Sequence, residues 1–268
     1  MRLFWKRLVI LALGALALSA CNKPANGGQE KEKVNILDLL NQEDHLYQDL
    51  TIQSTYKGMK MTYSVWLPNG YDENKTYPFL YLLHGYETGE QTHLDHCWVE
   101  KGNARAIAQE YVKNGGVQMV IVMPNGLSDF YMGAWEQYFH EELMPTVEAA
   151  YKCNGKRAIS GLSMGGYGTL YHALKYPQKF TYAYAMSPAA NVSMADMVTD
   201  PSVLPGITVE TGEQDPTTKL VDIQPFVDAM KAKGVAIEFI VRDGIHYWDF
   251  WQGCLPKALT KAGESFSK

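Results

Sequence analysis

The pattern of apolar and polar residues along the chain predicts strands and helices in alternation. Residues 50–68 alternate apolar and polar positions around the turn Lys57-Gly58, which predicts an antiparallel hairpin. Two nearly continuous apolar runs, 77–83 and 118–123, end at His84-Gly85 and at a Pro-Asn-Gly sequence. Such runs are typical of strands that are covered on both faces of a sheet.

The rest of the chain continues the alternation. Apolar residues recurring three and four positions apart predict helices over 103–113, 135–151, 169–176, 226–233 and 249–262. Shorter apolar segments predict strands over 158–160, 181–186, 207–211 and 237–241. This order indicates a single α/β domain with a mostly parallel central sheet flanked by helices. In such sheets the reactive side chains belong after the carboxyl ends of the strands.

The first 33 residues differ from this pattern. Residues 1–20 carry three basic residues and then an apolar run over 8–18, the layout of a secretory signal peptide and too short to span a bilayer comfortably. Leu18-Ser19-Ala20-Cys21 resembles the lipobox of bacterial lipoproteins, which implies that Cys21 is acylated. Residues 21–33 are polar and predict a flexible tether from that cysteine, leaving 34–268 as the domain.

Charge and composition narrow the possible partners. The chain has 24 basic and 29 acidic residues, and all three basic residues of the signal precede the domain. An acidic domain gives no reason to expect a nucleic acid as a partner. The predicted membrane contact is through the lipid alone. The residue after Cys21 is Asn22 rather than an aspartate. By resemblance to bacterial lipoproteins, this favours sorting of the protein to the outer membrane, on its periplasmic or surface face.

Three cysteines, Cys97, Cys153 and Cys254, fall in the predicted domain. Because disulfides persist outside the cytosol, one disulfide plus a remaining thiol is an open interpretation, and spacing alone does not choose the pair.

A cluster in the loop 87–98 raises the question of a metal. His93, Asp95, His96 and Cys97 offer nitrogen, oxygen and sulfur ligands. No second cluster completes a site at recognisable spacing, so we expect no metal and no cofactor. The favoured interpretation is a solvated loop or one that contacts substrate.

Gly161-Leu162-Ser163-Met164-Gly165 fits the pattern G-x-S-x-G between a predicted strand and a predicted helix. A serine at such a sharp turn projects its hydroxyl from the top of the sheet, and the flanking glycines relieve crowding there. We therefore predict Ser163 as a nucleophile.

A serine nucleophile needs a base and a group that orients the base. His246 follows the last predicted strand, in the chain order Ser, acid, His that such sheets use. Asp215 follows the strand 207–211 and is the acid we choose. Glu213 in the same loop and Asp222 closer to the next helix remain alternatives.

The reaction also needs two donors for a developing oxyanion. The backbone N–H of Met164, directly after the nucleophile, is one candidate. The second is the backbone N–H of Tyr86, because Gly85 lets the chain turn closely after the first buried strand.

Together these residues resemble the esterase D-like family of α/β-hydrolases, which includes feruloyl esterases, acetyl xylan esterases, siderophore esterases and mycolyltransferases. The matching segments are YPFLYLLHG (77–85), MVIVMPN (119–125), KRAISGLSMGG (156–166) and GIHYWDFW (244–251). The resemblance implies the α/β-hydrolase fold and the roles given above for Ser163, Asp215, His246, Tyr86 and Met164. One departure is Gly244-Ile245, where many relatives have glycine directly before the histidine.

Aromatic residues near the predicted site are candidates for substrate contacts, namely Trp98, Trp135 and Trp248. The resemblance and the predicted export imply feruloyl or acetyl esters of plant polysaccharide as substrates. A siderophore trilactone esterase or an acyltransferase is an alternative within the same chemistry. A lipoprotein that only binds glycan is an alternative from another class, and a formylglutathione-type thioesterase fits less well because that activity belongs in the cytosol.

Overall fold

A computed structural model describes residues 44–268 of the chain. The predicted signal peptide, Cys21, the tether and the first ten residues of the predicted domain lie outside the described residues. Within 44–268, no helix combines the length and the apolar character needed to cross a membrane.

Eight strands form one sheet. They are β1 (His45–Gln53), β2 (Lys60–Leu67), β3 (Tyr77–Leu83), β4 (Val120–Pro124), β5 (Cys153–Leu162), β6 (Tyr182–Met186), β7 (Gly206–Gly212) and β8 (Ile237–Arg242). The spatial order is β1-β2-β4-β3-β5-β6-β7-β8. The β1–β2 and β2–β4 pairs are antiparallel and every other pair is parallel. The predicted hairpin and the mostly parallel sheet are confirmed.

Strand β3 shows why the central strands read as continuous apolar runs. Phe79, Tyr81 and Leu83 face one hydrophobic cluster, and Leu80 and Leu82 face the other. Successive side chains of a strand point to opposite faces, so both sets must be apolar when helices cover both faces. The edge strand β1 alternates between exposed and half-buried residues instead.

Seven helices flank the sheet within 44–268. They are α1 (Cys97–Glu100), α2 (Ala104–Lys113), α3 (Ala134–Gln137), α4 (Met144–Ala150), α5 (Met164–Lys175), α6 (Leu220–Ala232) and α7 (Trp248–Phe266). Helices α2 and α7 bury their apolar faces on one side of the sheet, and α4, α5 and α6 do so on the other. The three-layer arrangement is the α/β-hydrolase fold that the resemblance implied.

Two predicted helices differ from the observed ones. The predicted helix 135–151 is interrupted by a π-helical segment, Tyr138–Leu143, between α3 and α4. Helix α5 begins at Met164 rather than 169. Three glycines in its first turns lower intrinsic helix propensity, but a Cβ at Gly165 would lie 2.4 Å from the carbonyl oxygen of Leu83. Close packing against the sheet therefore outweighs propensity at this helix start.

Candidate active site

Ser163 occupies a strained turn between β5 and α5. Its φ is +53°, a region that a non-glycine residue adopts at a cost and often at functional sites. Its backbone N–H donates to the Met186 carbonyl at 2.9 Å, and its carbonyl accepts from Tyr167 at 2.9 Å. The turn is thus fixed on both sides, and the hydroxyl is presented above the sheet next to the N-terminus of α5, where negative charge is favoured.

His246 lies in the loop between β8 and α7 and reaches Ser163. Its Nε2 is 2.9 Å from Ser163 Oγ, and its Nδ1 is 2.7 Å from Asp215 Oδ2. The Asp215 partner assigns the proton to Nδ1, which leaves Nε2 to accept from the serine hydroxyl. The Trp251 ring packs perpendicular to the imidazole, with centroids 4.9 Å apart, so the imidazole is held by packing as well.

Asp215 follows β7 and is buried. Its Oδ1 accepts from the backbone N–H groups of Thr217 and Thr218 at 2.8 and 2.9 Å, and the Thr218 hydroxyl donates to Oδ2 at 2.9 Å. Burial alone would raise the pKa of Asp215, but the hydrogen bonds from His246 and the two threonine amides outweigh it and lower the pKa. The carboxylate therefore carries its charge beside His246 at neutral pH.

Of the three acids considered from the sequence, the structure brings only Asp215 to His246. Glu213 is exposed, and its carboxylate lies 3.4 Å from the Gln214 amide. Asp222 is in the first turn of α6 and lines a cavity beside Ser163. Thr218 was not among the sequence-predicted site residues. Its signal was the run Asp-Pro-Thr-Thr, since an aspartate commonly accepts hydrogen bonds from the backbone two and three residues on.

The two predicted oxyanion donors border the same space. Tyr86 and Met164 both line a cavity of about 330 Å³ together with Ser163. Within residues 44–268, neither backbone N–H donates to another residue. A Cβ on Gly85 would lie 2.5 Å from Leu162 Cδ1 and 3.4 Å from Ser163 Cβ. Only glycine allows the chain before Tyr86 to approach the nucleophile this closely.

His84 holds this loop from below, a role that the sequence analysis did not assign. The ring is buried, its Nδ1 is 2.6 Å from the Gly85 carbonyl oxygen, and its Nε2 accepts from the Gly126 N–H at 2.7 Å. The Tyr131 hydroxyl donates to the His84 carbonyl at 2.7 Å. The loops that follow β3 and β4 are therefore joined directly behind the nucleophile.

Two cavities flank Ser163. The larger, about 330 Å³, is mostly apolar with a few polar groups and is lined by Tyr86, Phe130, Ser163, Met164, Pro188, Ala189, Ala190, Thr217, Thr218, Asp222 and Ile223. The smaller, about 180 Å³, is lined by Gly85, Tyr86, Glu87, Leu162, Ser163, His246, Tyr247, Trp248 and Trp251. A still larger cavity of about 890 Å³ lies between α2 and α7, but its lining contains no histidine. The reactive groups, rather than cavity size, identify the site.

The three tryptophans predicted as substrate contacts separate in the structure. Trp248 lines the smaller cavity. Trp98 is 1% exposed, packs edge-to-face against Trp248 and donates its ring N–H to the Leu83 carbonyl at 2.9 Å. Trp135 is 0% exposed and stacks in the core. The interpretation of Trp98 and Trp135 as substrate contacts is wrong, because both rings are packed inside the protein.

The three described cysteines form no disulfide. Cys97, Cys153 and Cys254 are free thiols, so the open possibility of one disulfide pair among them is not realised. Burial raises the pKa of the Cys97 thiol to about 11, and it also raises the pKa of Cys254. Protonated, buried thiols are unreactive, which makes Cys97 and Cys254 core residues.

The chain is similar in sequence to known esterases. A family model described as "Putative esterase" matches residues 54–262. An endo-1,4-beta-xylanase/feruloyl esterase of Xylanibacter ruminicola is 30% identical, in an alignment that covers 78% of this chain and 30% of that protein. The chain thus spans about a third of the length of the curated relatives that it matches.

Solved structures of feruloyl esterases are also similar to this chain. A ferulic acid esterase structure is 28% identical, with a TM-score of 0.75, and the alignment covers 84% of this chain and all of that one. The feruloyl esterase module of Clostridium thermocellum, solved as an S954A mutant with sinapinate, is 21% identical with a TM-score of 0.67 over 82% and 88% of the two chains. At 21% identity, the similarity to the Clostridium thermocellum module supports the fold alone. With the family model covering most of the described residues, the chain belongs to the esterase family of α/β-hydrolases.

Proposed function

We propose that the chain is a serine esterase that acts through Ser163, His246 and Asp215 and forms an acyl-enzyme. The observation that carries the proposal is the continuous hydrogen-bonded chain from Asp215 Oδ2 to His246 Nδ1 and from His246 Nε2 to Ser163 Oγ, at 2.7 and 2.9 Å. This arrangement lets the imidazole take the serine proton while the carboxylate stabilises the imidazolium.

The reaction follows from that geometry. Ser163 Oγ attacks the ester carbonyl carbon as its proton passes to His246 Nε2, and the carbonyl oxygen becomes an oxyanion. The N–H groups of Tyr86 and Met164 are the proposed donors to that oxyanion, each worth about 100-fold or more in rate. His246 then gives its proton to the leaving alcohol, and the C–O bond breaks. Water repeats the sequence on the acyl-enzyme and releases the acid.

The lining of the larger cavity favours an aromatic acyl group as its occupant. Its volume is at the lower end of the range for drug-sized ligands, and Phe130, Pro188 and Ile223 supply apolar walls. Thr217 and Asp222 are polar groups that a ring hydroxyl could meet. A hydroxycinnamoyl group such as ferulate has this combination of a flat apolar body and a polar end, and two similar proteins carry feruloyl esterase names.

The rim of the smaller cavity supports a sugar as the alcohol part. Tyr86 and Tyr247 are 54% and 58% exposed and lie on its border with Trp248. Exposed aromatic rings stack on apolar sugar faces while their polar ends stay in water. We therefore place the acyl group in the larger cavity and the carbohydrate at this rim, which makes plant polysaccharide esters the proposed substrates.

A panel of esters tests the proposal. The full chain, purified in detergent, would be given a feruloylated arabino-oligosaccharide, methyl ferulate, 4-nitrophenyl acetate and a catecholate trilactone, with products analysed in the presence of an alcohol acceptor. We expect the highest kcat/KM for the feruloylated sugar and free ferulic acid as product. Acetate turnover alone would move the substrate to small acyl groups. Turnover of the trilactone alone would favour the siderophore esterase. Formation of an ester of the alcohol acceptor would favour the acyltransferase. No turnover by folded protein would favour glycan binding.

We also propose that the protein is exported and held in the cell envelope by a lipid on Cys21, with Asn22 favouring the outer membrane. The support is the sequence 18–21 after a short apolar run. Growth of an expressing bacterium with an alkyne-labelled fatty acid would label the wild type. A Cys21→Ala variant that still carries the label would contradict this assignment.

A further inference from the structure

Three possible metal ligands meet at the edge of the sheet, away from Ser163. Asp49 Oδ1 lies 2.7 Å from His93 Nδ1 and 3.0 Å from His96 Nε2. The three ligand atoms all lie within 4.8 Å of one another. We propose that Asp49, His93 and His96 bind one divalent transition-metal ion, with Zn²⁺ the best match to two imidazoles and a carboxylate.

The spacing suits a tetrahedral ion. Zinc binds imidazole nitrogen and carboxylate oxygen at about 2.0–2.2 Å, which separates neighbouring ligand atoms by roughly 3.3 Å. The oxygen-to-nitrogen distances of 2.7 and 3.0 Å are slightly shorter than this. Side-chain shifts of a few tenths of an ångström would admit the ion between them. Because Asp49 and His93 are exposed, water can supply the fourth ligand.

His96 carries the strongest sign of a missing partner. Its Nε2 is a buried atom that makes no hydrogen bond of good geometry within residues 44–268, and the nearest carboxylate oxygens, of Asp49 and Asp95, lie 3.0 and 3.6 Å away. The other ring nitrogen, Nδ1, lies 3.5 Å from Glu100 Oε1 on α1. Metal-bound histidines usually donate their second ring N–H to a carboxylate, and Glu100 would reach that role by moving a few tenths of an ångström closer. A metal ion would bind this buried nitrogen directly and give it the well-aligned partner that it otherwise lacks.

The backbone at Asp49 directs its carboxylate to the two histidines. The register of β1 against β2 shifts between Tyr47 and Leu50, and Asp49 there has a φ of +57°. A bulge of this kind re-aims a side chain, and a left-handed aspartate is a strained position that persists where the surroundings hold it.

This ligand set differs from the one considered from the sequence. Asp95 accepts hydrogen bonds from Thr62 and Ser64 of β2, both at 2.7 Å, so its oxygens are already engaged. Cys97 is buried, and its sulfur is not among the ligand atoms that meet at Asp49. Asp49 takes the place of Asp95 and Cys97 in the proposed ligand set. The sequence analysis did not find it because it lies far from the two histidines along the chain. The proposal departs from the expectation of no metal.

An ion at this place would tie β1 to the segment 87–100. That segment begins at Glu87 on the rim of the smaller cavity and ends in α1, whose Trp98 packs against Trp248. The proposed metal is thus a structural clamp at the edge of the sheet, connected to the rim of the active site through the segment 87–100, and takes no part in ester cleavage. It stands whether or not the proposed substrate is right.

Zinc binding by the full chain in detergent tests the proposal. After treatment with EDTA and removal of the chelator, ZnCl₂ would be titrated calorimetrically into wild type, Asp49→Asn, His93→Ala and His93→Gln. We expect one zinc per chain and an affinity at least about tenfold weaker in the variants. His45→Ala, an exposed histidine on the same strand, is the matched control and should bind as the wild type does.

Thermal unfolding gives a second readout that does not depend on activity. Zinc should raise the Tm of wild type and of His45→Ala, because an ion that binds only the folded state stabilises it. The same zinc concentration should leave the Tm of the folded Asp49 and His93 variants nearly unchanged. No saturable zinc uptake by wild type, or equal affinity in the Asp49 and His93 variants, would overturn the assignment.

Discussion

The Nε2 atom of His84 accepts a hydrogen bond from the backbone N–H of Gly126 at 2.7 Å, which joins the loops that follow β3 and β4 behind the nucleophile. On its other side the ring faces the Gly85 carbonyl at 2.6 Å. An acceptor at Nε2 and a donor at Nδ1 require the neutral imidazole, and burial lowers the pKa of His84 to about 4. His84 is therefore a neutral positioning residue for the loop that carries the Tyr86 amide.

Replacing His84 should affect catalysis more than substrate binding. In His84→Leu both hydrogen bonds are lost, and we expect kcat to fall about 10- to 100-fold because an oxyanion donor is misplaced, with KM nearly unchanged. His84→Asn should recover part of the rate, since its amide N–H can still donate to Gly85. Steady-state kinetics on 4-nitrophenyl acetate would measure this, and a folded His84→Leu variant with the wild-type kcat would show that the loop needs no such support.

Mild acid should destabilise the protein. Burial lowers the pKa values of His84, His140 and His172 to about 4, 2 and 3. Between the unfolded pKa near 6.5 and these folded values, the unfolded chain binds more protons than the folded one. The free energy of unfolding should therefore be fully retained above pH 6.5 and fall by about 1.4 kcal/mol per pH unit for each histidine below it. Urea unfolding at pH 7.5, 6 and 5 measures the slope, and a midpoint constant from 7.5 to 5 would refute the buried neutral state.

The acid that orients His246 can be identified by exchanging carboxylates for amides. Asp215→Asn keeps the shape but removes the charge and the correct tautomer of the imidazole, so kcat should fall about 10⁴-fold. Glu213→Gln is the matched control, because its exposed carboxylate makes no contact with His246, and its kcat should stay within about twofold of wild type. A larger loss in Glu213→Gln than in Asp215→Asn would move the role to Glu213.

The assignment of the larger cavity to the acyl group predicts a change in specificity. Ala189 is half-buried on its wall, so Ala189→Trp would fill the space that a feruloyl ring needs. We expect kcat/KM for methyl ferulate to drop at least about tenfold, since misfit in a pocket costs 1–3 kcal/mol. The value for 4-nitrophenyl acetate should change much less. Equal losses on both esters would mean that the aromatic ring binds elsewhere or that the substitution disturbs Ser163.

Local patterns in the sequence predicted the sheet and the grouping of the candidate catalytic residues at its carboxyl edge. Strand β3 is a continuous apolar run because both of its faces are buried, and Ser163, Asp215 and His246 each follow a strand. Residues that follow neighbouring parallel strands lie at one edge, so their grouping required no knowledge of side-chain positions.

Features that depend on distant contacts were not predictable in this way. Trp98 and Trp248 are both tryptophans near the same site. Only their packing determines that Trp98 is buried against Trp248 while Trp248 lines the smaller cavity. The π-helical segment Tyr138–Leu143 has no apolar repeat in its sequence that would distinguish it from an α-helix. Asp49 meets His93 only because a bulge in β1 lies beside the loop after β3, and no spacing rule connects them.

The central claim, that Ser163 is the nucleophile of an esterase, is tested most directly by hydrolysis of methyl ferulate and 4-nitrophenyl acetate by Ser163→Ala. Loss of the attacking oxygen should lower kcat by at least about 10⁴-fold while the fold is retained. Ser202→Ala, which changes an exposed serine, should behave as the wild type does. Wild-type turnover of either ester by a folded Ser163→Ala variant would contradict the account.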